Sequence, residues 1–248
     1  MFLRQPTRLA LVFLLVACSH APLNKHRDAT ADLRRAEQNS FKRTKISGNG
    51  SIAWRSDSPK RNLAAAAILL VQWPDKLRME VNDPIGNRLA LLVVNGEEAW
   101  WESEGQAVIH SKHGLKPLLN LPYSGRDLVK VFLARPEFKG FSLSDEGEGE
   151  LVFLRGQEKL VVNGRLADPE LWTVLLEGGQ SLRVDFEDYL TRSGVDIPGT
   201  MRLTWTVPGQ QNNSLLWAWR DWEPSLPDNP TLFQIPKSAS HGQAVKSF

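Results

Sequence analysis

Several stretches of the chain alternate apolar and polar side chains with a period of two residues. Leu77, Met79 and Val81 alternate with polar or charged neighbours, and the same period runs through residues 182–187 and 200–207. Successive side chains of a β-strand point to opposite faces, so this period predicts strands with one buried face and one exposed face. Such strands are typical of an antiparallel sheet that has its core on one side.

Further runs of strand-forming residues fill most of the remaining chain. The dipeptides Asn95-Gly96, Asn163-Gly164 and Gly178-Gly179 supply positive φ for turns between them. Helices are predicted at 28–43, with Asp28 as the N-cap, and at 126–134, which ends before Pro136. The fold class is therefore α+β, mostly antiparallel β, with one long curled sheet. The additional strands are predicted at 46–55, 63–72, 88–94, 98–103, 106–111, 150–155, 158–166, 171–176 and 214–222.

A curled sheet has a concave apolar face, which must be filled by side chains, covered by a helix or left as a cavity. The nine tryptophans of the chain can either line such a cavity or fill the core, and composition does not separate the two. The alternation predicts which side chains face this concave surface. They are Trp54, Leu77, Met79, Val81, Leu89, Leu91, Trp101, Val184, Phe186, Met201, Leu203 and Trp205.

The N-terminal residues have the pattern of an export signal. Arg4 and Arg8 precede the apolar run 9–17, which is too short to cross a hydrocarbon layer of ~30 Å, and Cys18 follows directly. The residues Leu15-Val16-Ala17-Cys18 resemble the lipobox of bacterial lipoproteins. That resemblance implies cleavage before Cys18, with diacylglycerol on its sulfur and an acyl chain on its new amine. The alternative is an ordinary signal peptide with an incidental cysteine, but Cys18 is the single cysteine of the chain and lies where lipidation requires it.

The chain divides into four segments. Residues 1–17 are the predicted signal peptide, and 18–45 the lipidated tether with the N-terminal helix. Residues 46–222 form the sheet domain, and 223–248 a proline-rich tail. Seven basic residues face three acidic ones in 18–45, beside the predicted anchor, where anionic headgroups attract them. Nothing in the composition predicts the basic face of a nucleic-acid-binding protein.

Three stretches, taken in order, resemble the LolB family of outer-membrane lipoprotein receptors. The first is 77–91, two strands joined by the loop Asp83-Pro84-Ile85-Gly86-Asn87. The second is 121–136, which is similar to the family's helix that ends at a proline. The third combines 184–189, 197–203 and 216–222, which are similar to its last strands and to the proline-led hairpin between them. The order and spacing of these short motifs carry the resemblance.

The resemblance implies a single open, incomplete β-barrel of about eleven strands, with helices covering its mouth. Leu128, Phe132 and Leu133 would belong to the mouth helix. The cavity would accept acyl chains of lipoproteins, or lipids, from a LolA-like periplasmic carrier. The protein would then insert these acyl chains into the outer membrane. Ser19 after the cysteine points to the outer membrane, with the domain in the periplasm. We expect a monomer with no cofactor besides its covalent lipid.

The loop between the first two matched strands has a specific expected role. Pro84 and Gly86 fix a turn whose tip residue cannot pack inside its own hairpin, so Ile85 is predicted to be exposed. The alternative is an apolar loop residue that folds back onto the body. In the family, the matching apolar residue is tied to handing lipoprotein to the membrane.

Two other classes of function compete with a lipid receptor. An enzyme is disfavoured because His110 and His113 fall on opposite faces of a strand and no catalytic motif is present. A structural lipoprotein of the same fold would keep the anchor and have a filled barrel. The chain also departs from the family pattern: its tail runs past the expected end, and four alanines at 64–67 replace bulkier residues of the family's second strand. These alanines would reshape the lining and point to a different cargo.

Overall fold

The computed structural model describes residues 29–57, 60–103, 109–111, 115, 124–146, 150–164, 166, 169–175, 180–206, 213–235 and 246–247. The predicted signal peptide, Cys18 with its lipid, and Asp28 lie outside these residues, as do His113 and the turn at Gly178-Gly179. They therefore stay predictions.

The described residues form two helices and fourteen strands. The helices are α1 (Ala29–Lys42) and α2 (Gly125–Phe132). The first seven strands in the chain are β1 (Lys45–Asp57), β2 (Lys60–Gln72), β3 (Lys76–Asn82), β4 (Arg88–Asn95), β5 (Glu98–Ser103), β6 (Ile109–Ser111) and β7 (Ser142–Glu146). The remaining seven are β8 (Glu150–Arg155), β9 (Glu158–Gly164), β10 (Pro169–Leu175), β11 (Ser181–Arg192), β12 (Val195–Thr206), β13 (Asn213–Glu223) and β14 (Lys246–Ser247).

All of these strands belong to one sheet. Its order is β14-β6-β5-β4-β3-β2-β1-β13-β12-β11-β10-β9-β8-β7. Neighbours pair antiparallel throughout, except that β14 runs parallel to β6. The long pairing of β1 with β13 joins an N-terminal half, β1–β6, to a C-terminal half, β7–β13. Because β14 and β7 lie at opposite ends of the order, the sheet is open, as the resemblance to LolB receptors implies. It has more than the expected eleven strands.

The alternation in the sequence is reproduced in the burial of the strands. Met79 and Val81 on β3, and Leu203 and Trp205 on β12, are at most 3 % exposed. Arg202, which precedes Leu203 and faces the other side of the sheet, remains exposed. The inner faces of both halves contribute to one apolar core, which the residues of α2 also enter. The concave side of the sheet therefore holds the core.

Helix α2 lies in the concavity and is fixed there by its cap and by its apolar face. Ser124 and Asp127 form a capping box, in which the Ser124 side chain accepts from the Asp127 amide and the Asp127 carboxylate accepts from the Ser124 amide. Leu128 and Phe132 are buried, and the Phe132 ring packs edge-on against Trp217 at 6.1 Å. Leu133 follows the helix and is also fully buried. The three apolar residues predicted for a mouth helix thus all face the core.

Strand β4 corrects part of the predicted concave face. Leu91 packs with Val93 and Trp100 in a second cluster on the outer side of the sheet, opposite Glu80 of β3. Leu89, two residues earlier, is half-buried at the register shift between β3 and β4 and belongs to neither cluster. The inner positions of this strand are Ala90, Leu92 and Val94. Nearly every residue of 89–94 is large and apolar, because this strand is buried on both faces. The sequence therefore shows no alternation here that would distinguish the inner face from the outer face.

The C-terminal segment 224–235 accounts for this second cluster. Ile235 packs against Leu91, Val93 and Trp100, and the nearby Phe233 is only 8 % exposed. The carbonyl of Leu232 also accepts a hydrogen bond from Arg78 Nη1 at 3.4 Å. The segment leaves β13 and covers part of the outer face of β3–β5, before β14 joins the edge strand β6. Residues that read as a tail thus belong to the packed body.

Candidate functional site

The concave face of the N-terminal half is filled by aromatic side chains. Trp54 and Trp101 meet edge to face with centroids 5.6 Å apart. The space among the surrounding residues amounts to about 20 Å³, enough for about one water molecule. Its lining includes five of the side chains predicted for a cavity: Trp54, Met79, Val81, Trp101 and Trp205. The other inner residues of that prediction, Leu77, Val184, Phe186, Met201 and Leu203, are buried in the core.

A larger cleft of about 230 Å³ opens on the concave side of the C-terminal half. It lies between α2, the segment 136–141 and the inner faces of β9–β11. Its floor is apolar and is built by Val131, Pro136, Phe141, Leu160, Trp172, Val174 and Leu182. The Trp172 ring is held edge-on against Phe186 at 5.0 Å.

Sequence reasoning missed this cleft. The predicted cavity residues lie mainly on the tryptophan-rich strands, whereas the cleft uses β9 and β10, which carry one tryptophan. The available signal is the spacing of two residues between the apolar side chains of Leu160 and Val162, and between those of Trp172 and Val174. That period predicts an inner apolar face in this half as well. The period does not predict which half of the concave face is filled by α2 and which half keeps a cleft.

Charged side chains surround the mouth of the cleft and are paired with one another. Lys130 Nζ lies 2.9 Å from Asp127 Oδ1 and 2.9 Å from Glu137 Oε2. The other Glu137 oxygen, Oε1, lies 2.9 Å from Arg126 Nη2. Across the mouth, Arg155 pairs with Glu158 at 2.6 Å. The site therefore combines an apolar floor with a mouth in which cations and carboxylates alternate.

The two carboxylates next to Lys130 are held in their ionised form. Burial on its own raises the pKa of Asp127. The charge of Lys130 and hydrogen bonds from Lys130 and Ser124 outweigh this effect, so the pKa is lowered from its ordinary value of 3.8. The pKa of Glu137 is lowered in the same way: burial opposes the shift, and Lys130 and the nearby arginines produce it. Both groups are therefore anions at neutral pH.

The loop between β3 and β4 presents one apolar side chain to solvent. Ile85 is 85 % exposed, as its turn position predicts. The Asp83 Oδ1 atom accepts hydrogen bonds from the amides of Ile85 at 2.9 Å and Asn87 at 2.8 Å. Gly86 has a φ of 92°, a conformation that residues with a side chain rarely adopt. The loop is thus held by its own hydrogen bonds, with Pro84 and Ile85 at its exposed tip.

The described residues contain neither a membrane-spanning helix nor a cluster of metal ligands. In the part of the chain that the structure covers, no helix is long and apolar enough to cross a membrane. Among the same residues, no three His, Cys, Asp or Glu side chains come together as a metal site. The strand residue His110 pairs with Trp100 on the neighbouring strand through the backbone of β6.

The described architecture is a LolA/LolB-like fold, as comparison with solved structures shows. A LolA superfamily protein from Nitrosomonas europaea superimposes with a TM-score of 0.53 at 15% identity, over 84% of this chain and 97% of that one. A DUF1329 family protein from Desulfovibrio piger gives a TM-score of 0.54 at 10% identity, over 83% and 96% of the two chains. A putative outer membrane lipoprotein-sorting protein domain from Vibrio parahaemolyticus gives 0.49 at 14% identity, over 79% and 93%.

No protein-family model matches the sequence, and no curated protein is detectably similar to it. The likeness is therefore one of fold. The particular role of the chain has to be argued from its own residues.

Proposed function

We propose that this protein is an outer-membrane lipoprotein that accepts acyl chains of lipoproteins, or lipids, and passes them to the membrane. The observation that carries this proposal is the cleft of about 230 Å³ on the concave side of the sheet. An apolar floor beneath a polar mouth is what an acyl chain with a polar end requires. Transfer of apolar surface out of water supplies the binding free energy, at ~0.8 kcal/mol for each buried methylene group.

The exposed loop supports the second half of the proposal, which is delivery. The side chain of Ile85 contributes little buried apolar surface to the fold, because it is 85 % exposed. Insertion of this side chain into a membrane interface would contribute up to ~1.5–3 kcal/mol. The resemblance to LolB receptors gives the matching loop the same task. Delivery at a membrane also agrees with the predicted anchor at Cys18.

The location and the donor of the cargo follow from the resemblance and from the N-terminal segment. The lipid on Cys18 would hold the domain at the outer membrane, on its periplasmic side. A periplasmic carrier of LolA type would bring the acylated cargo. No chemical conversion is part of this role, and the protein would act as a monomer without a cofactor.

A substitution at Val174 tests whether the cleft binds lipid. Val174 is half-buried on the floor of the cleft. The larger ring of Val174→Phe should fill the space while leaving the wall apolar, so the fold should survive. We expect the binding of a fluorescent fatty-acyl probe to weaken at least tenfold, because roughly two buried methylene groups account for that factor.

The matched control is Thr173→Phe, on the neighbouring residue of β10 and the opposite face of the sheet. Binding of the probe should remain within about twofold of the wild-type value. Circular dichroism checks that both variants fold. Equal binding by the wild type and the folded Val174→Phe variant would show that acyl chains do not use this cleft.

A structural or assembly role is the second candidate, and one observation favours it. The N-terminal half has a filled concave face, with only about 20 Å³ of space among its aromatic residues. A docking protein would have a concave face that is filled in this way in both halves of the sheet. Absence of co-purified lipid in native mass spectrometry, together with no binding of acyl probes, would favour this role.

A further inference from the structure

The size of the cleft limits how much of a lipid it can hold. Its volume is about 230 Å³. A cavity of ~150 Å³ holds one benzene molecule with its six carbons, so the cleft accommodates roughly nine chain carbons. That is part of one acyl chain. Only part of one chain of an acylated cargo could lie between α2 and β9–β11 at a time.

Hydrogen-bond donors remain available at the mouth after its ion pairs are counted. Lys130 carries three N–H groups, and two carboxylate oxygens lie near them at 2.9 Å. Arg155 carries five N–H groups. Its Nε and Nη2 face Glu158, and its Nη1 donates to the Lys139 carbonyl at 3.3 Å. Each of these side chains lines the cleft and has at least one donor left for a ligand.

The charge around the mouth favours an anionic partner for these donors. The Glu137 carboxylate is shared by Arg126 and Lys130, and the charge of Arg135 also acts on it. Among the described residues, the ion pairs at the mouth join three cations, Arg126, Lys130 and Arg155, to three carboxylates, Asp127, Glu137 and Glu158. Arg135 brings a fourth positive charge close to Glu137. Donors to an anion give short, charge-assisted hydrogen bonds.

A third donor belongs to the floor of the cleft. The Nε1 atom of Trp172 is buried and has no hydrogen-bond acceptor among the described residues, and the residue is only 4 % exposed. A buried donor without an acceptor has a free-energy cost, because it has lost its hydrogen bonds to water. A ligand that carries an acceptor next to its chain would remove this cost. The ester carbonyl of an acyl lipid is such an acceptor.

We infer that the cleft is a site for a single-chain amphiphile whose head carries a phosphate group, which is the chemistry of a lysophospholipid. The chain occupies the apolar floor, and the phosphate accepts hydrogen bonds from Lys130 and Arg155 at the mouth. This assignment rests on the proposed function in one respect, namely that the cleft binds lipid. It adds which lipid the residues of this chain select.

The test compares three probes on the non-lipidated Cys18→Ser chain. Lysophosphatidylglycerol and a monoacylglycerol of the same chain length differ in the phosphate head, and inorganic phosphate lacks the chain. Displacement of the dye ANS below the micellar concentration measures each affinity. We expect the phosphate-bearing lipid to bind about tenfold more tightly than the uncharged one, and inorganic phosphate not to displace the dye.

Arg155→Gln should reduce the preference for the phosphate head severalfold, and Lys130→Gln with Arg155→Gln should abolish it, while the monoacylglycerol still binds. Arg88→Gln is the matched control. Arg88 pairs with Glu102 at 3.3 Å, is 44% exposed compared with 48% for Arg155, and lies on β4, away from the cleft. This variant should keep the full preference. Circular dichroism checks the fold of each variant.

The outcomes separate the assignment from the proposed function. Equal affinity for the two lipids would overturn the phosphate assignment and leave lipid binding intact. A preference that survives in the folded double variant would also overturn it. Displacement by inorganic phosphate alone would show a site for the free anion instead. Binding of neither lipid would overturn the proposed function itself.

Discussion

Asp127 is the residue whose charge connects the cap of α2 to the mouth of the cleft. Its carboxylate accepts hydrogen bonds from the Ser124 amide at 3.1 Å and from Lys130 Nζ at 2.9 Å. Burial alone would raise its pKa, but the charge of Lys130 and these two hydrogen bonds favour the ionised form and lower it. The same carboxylate therefore stabilises the helix and orders a cation that we assign to ligand binding.

Asp127→Asn should make the protein less sensitive to acid. Because the folded pKa of Asp127 lies below its ordinary value of 3.8, its contribution to stability is fully present above that pH. The contribution is lost as the pH falls through the lowered folded pKa. The wild type should therefore melt at a higher temperature than Asp127→Asn at pH 7, by a few degrees.

Thermal denaturation at several pH values checks this prediction. The difference in melting temperature should shrink between pH 5 and pH 2 as the wild-type carboxylate is protonated. Ser124→Ala is a useful comparison, since it removes the cap hydroxyl and keeps the carboxylate. A constant difference between wild type and Asp127→Asn across this range would contradict the assigned pKa direction.

Individual residues differ in how far the sequence revealed them. The exposure of Ile85 follows from the turn chemistry of Pro84 and Gly86, which is local and can be read directly. The inner positions of β3, β11 and β12 follow from alternation, because one face of each strand is polar. Leu91 was assigned to the wrong face because its strand is buried on both sides, and Leu89 lies at a register shift that the alternation does not predict. Lys130 and Arg155 gave no signal, since their roles depend on partners distant in the chain.

The C-terminal segment 224–235 is the element that departs most from its reading in the sequence. Four prolines between 224 and 236 predict an irregular path, and that much is local. Its packing on Leu91, Val93 and Trp100 is a contact between residues far apart in the chain, and the hydrophobic period of the sequence does not predict it. The two unpredicted strands, β7 and β14, are similar cases. They are short, polar edge strands, and their pairing is fixed by neighbours rather than by their own composition.

Ile235→Asp should detach this segment from the outer face of the sheet. A carboxylate against the cluster of Leu91, Val93 and Trp100 would lose its hydration without gaining a partner. We expect faster cleavage within 224–235 in limited proteolysis, and stronger ANS fluorescence from the uncovered cluster. The loss of stability should be about 1–3 kcal/mol, since Ile235 is half-buried.

Gln234→Asp is the control for that experiment, because Gln234 is exposed on the same segment. Its proteolysis and dye binding should match the wild type. The two variants add the same charge one residue apart, so a common response would come from charge alone. Resistance of Ile235→Asp to proteolysis would mean that the segment is not held by this contact.

At the level of the whole protein, the anchor and the domain are expected to be separable. Ten residues separate Cys18 from the first described element, α1, and the strands begin at Lys45. Cys18→Ser should therefore remove membrane attachment or leave an uncleaved precursor in the inner membrane, without changing the melting temperature of the domain. Membrane fractionation and thermal denaturation measure the two effects. Mature-sized Cys18→Ser protein in the outer-membrane fraction would contradict the lipid anchor.

Binding and delivery use different parts of the molecule in the proposed function. The cleft lies against β9–β11 in the C-terminal half, and Ile85 lies on the β3–β4 loop in the N-terminal half. Asp83 holds that loop through hydrogen bonds to the amides of Ile85 and Asn87, so its shape does not depend on the cleft. A substitution at the tip of the loop can therefore change delivery without changing uptake.

The transfer of a labelled acylated lipoprotein from the loaded protein to liposomes measures delivery directly. Ile85→Glu keeps the loop and the cleft but opposes entry into the membrane interface, and Ile85→Leu keeps both size and polarity. We expect Ile85→Glu to load normally and to transfer at least tenfold more slowly than the wild type, with Ile85→Leu close to the wild-type rate. Unchanged transfer by a normally loaded Ile85→Glu variant would contradict the delivery role.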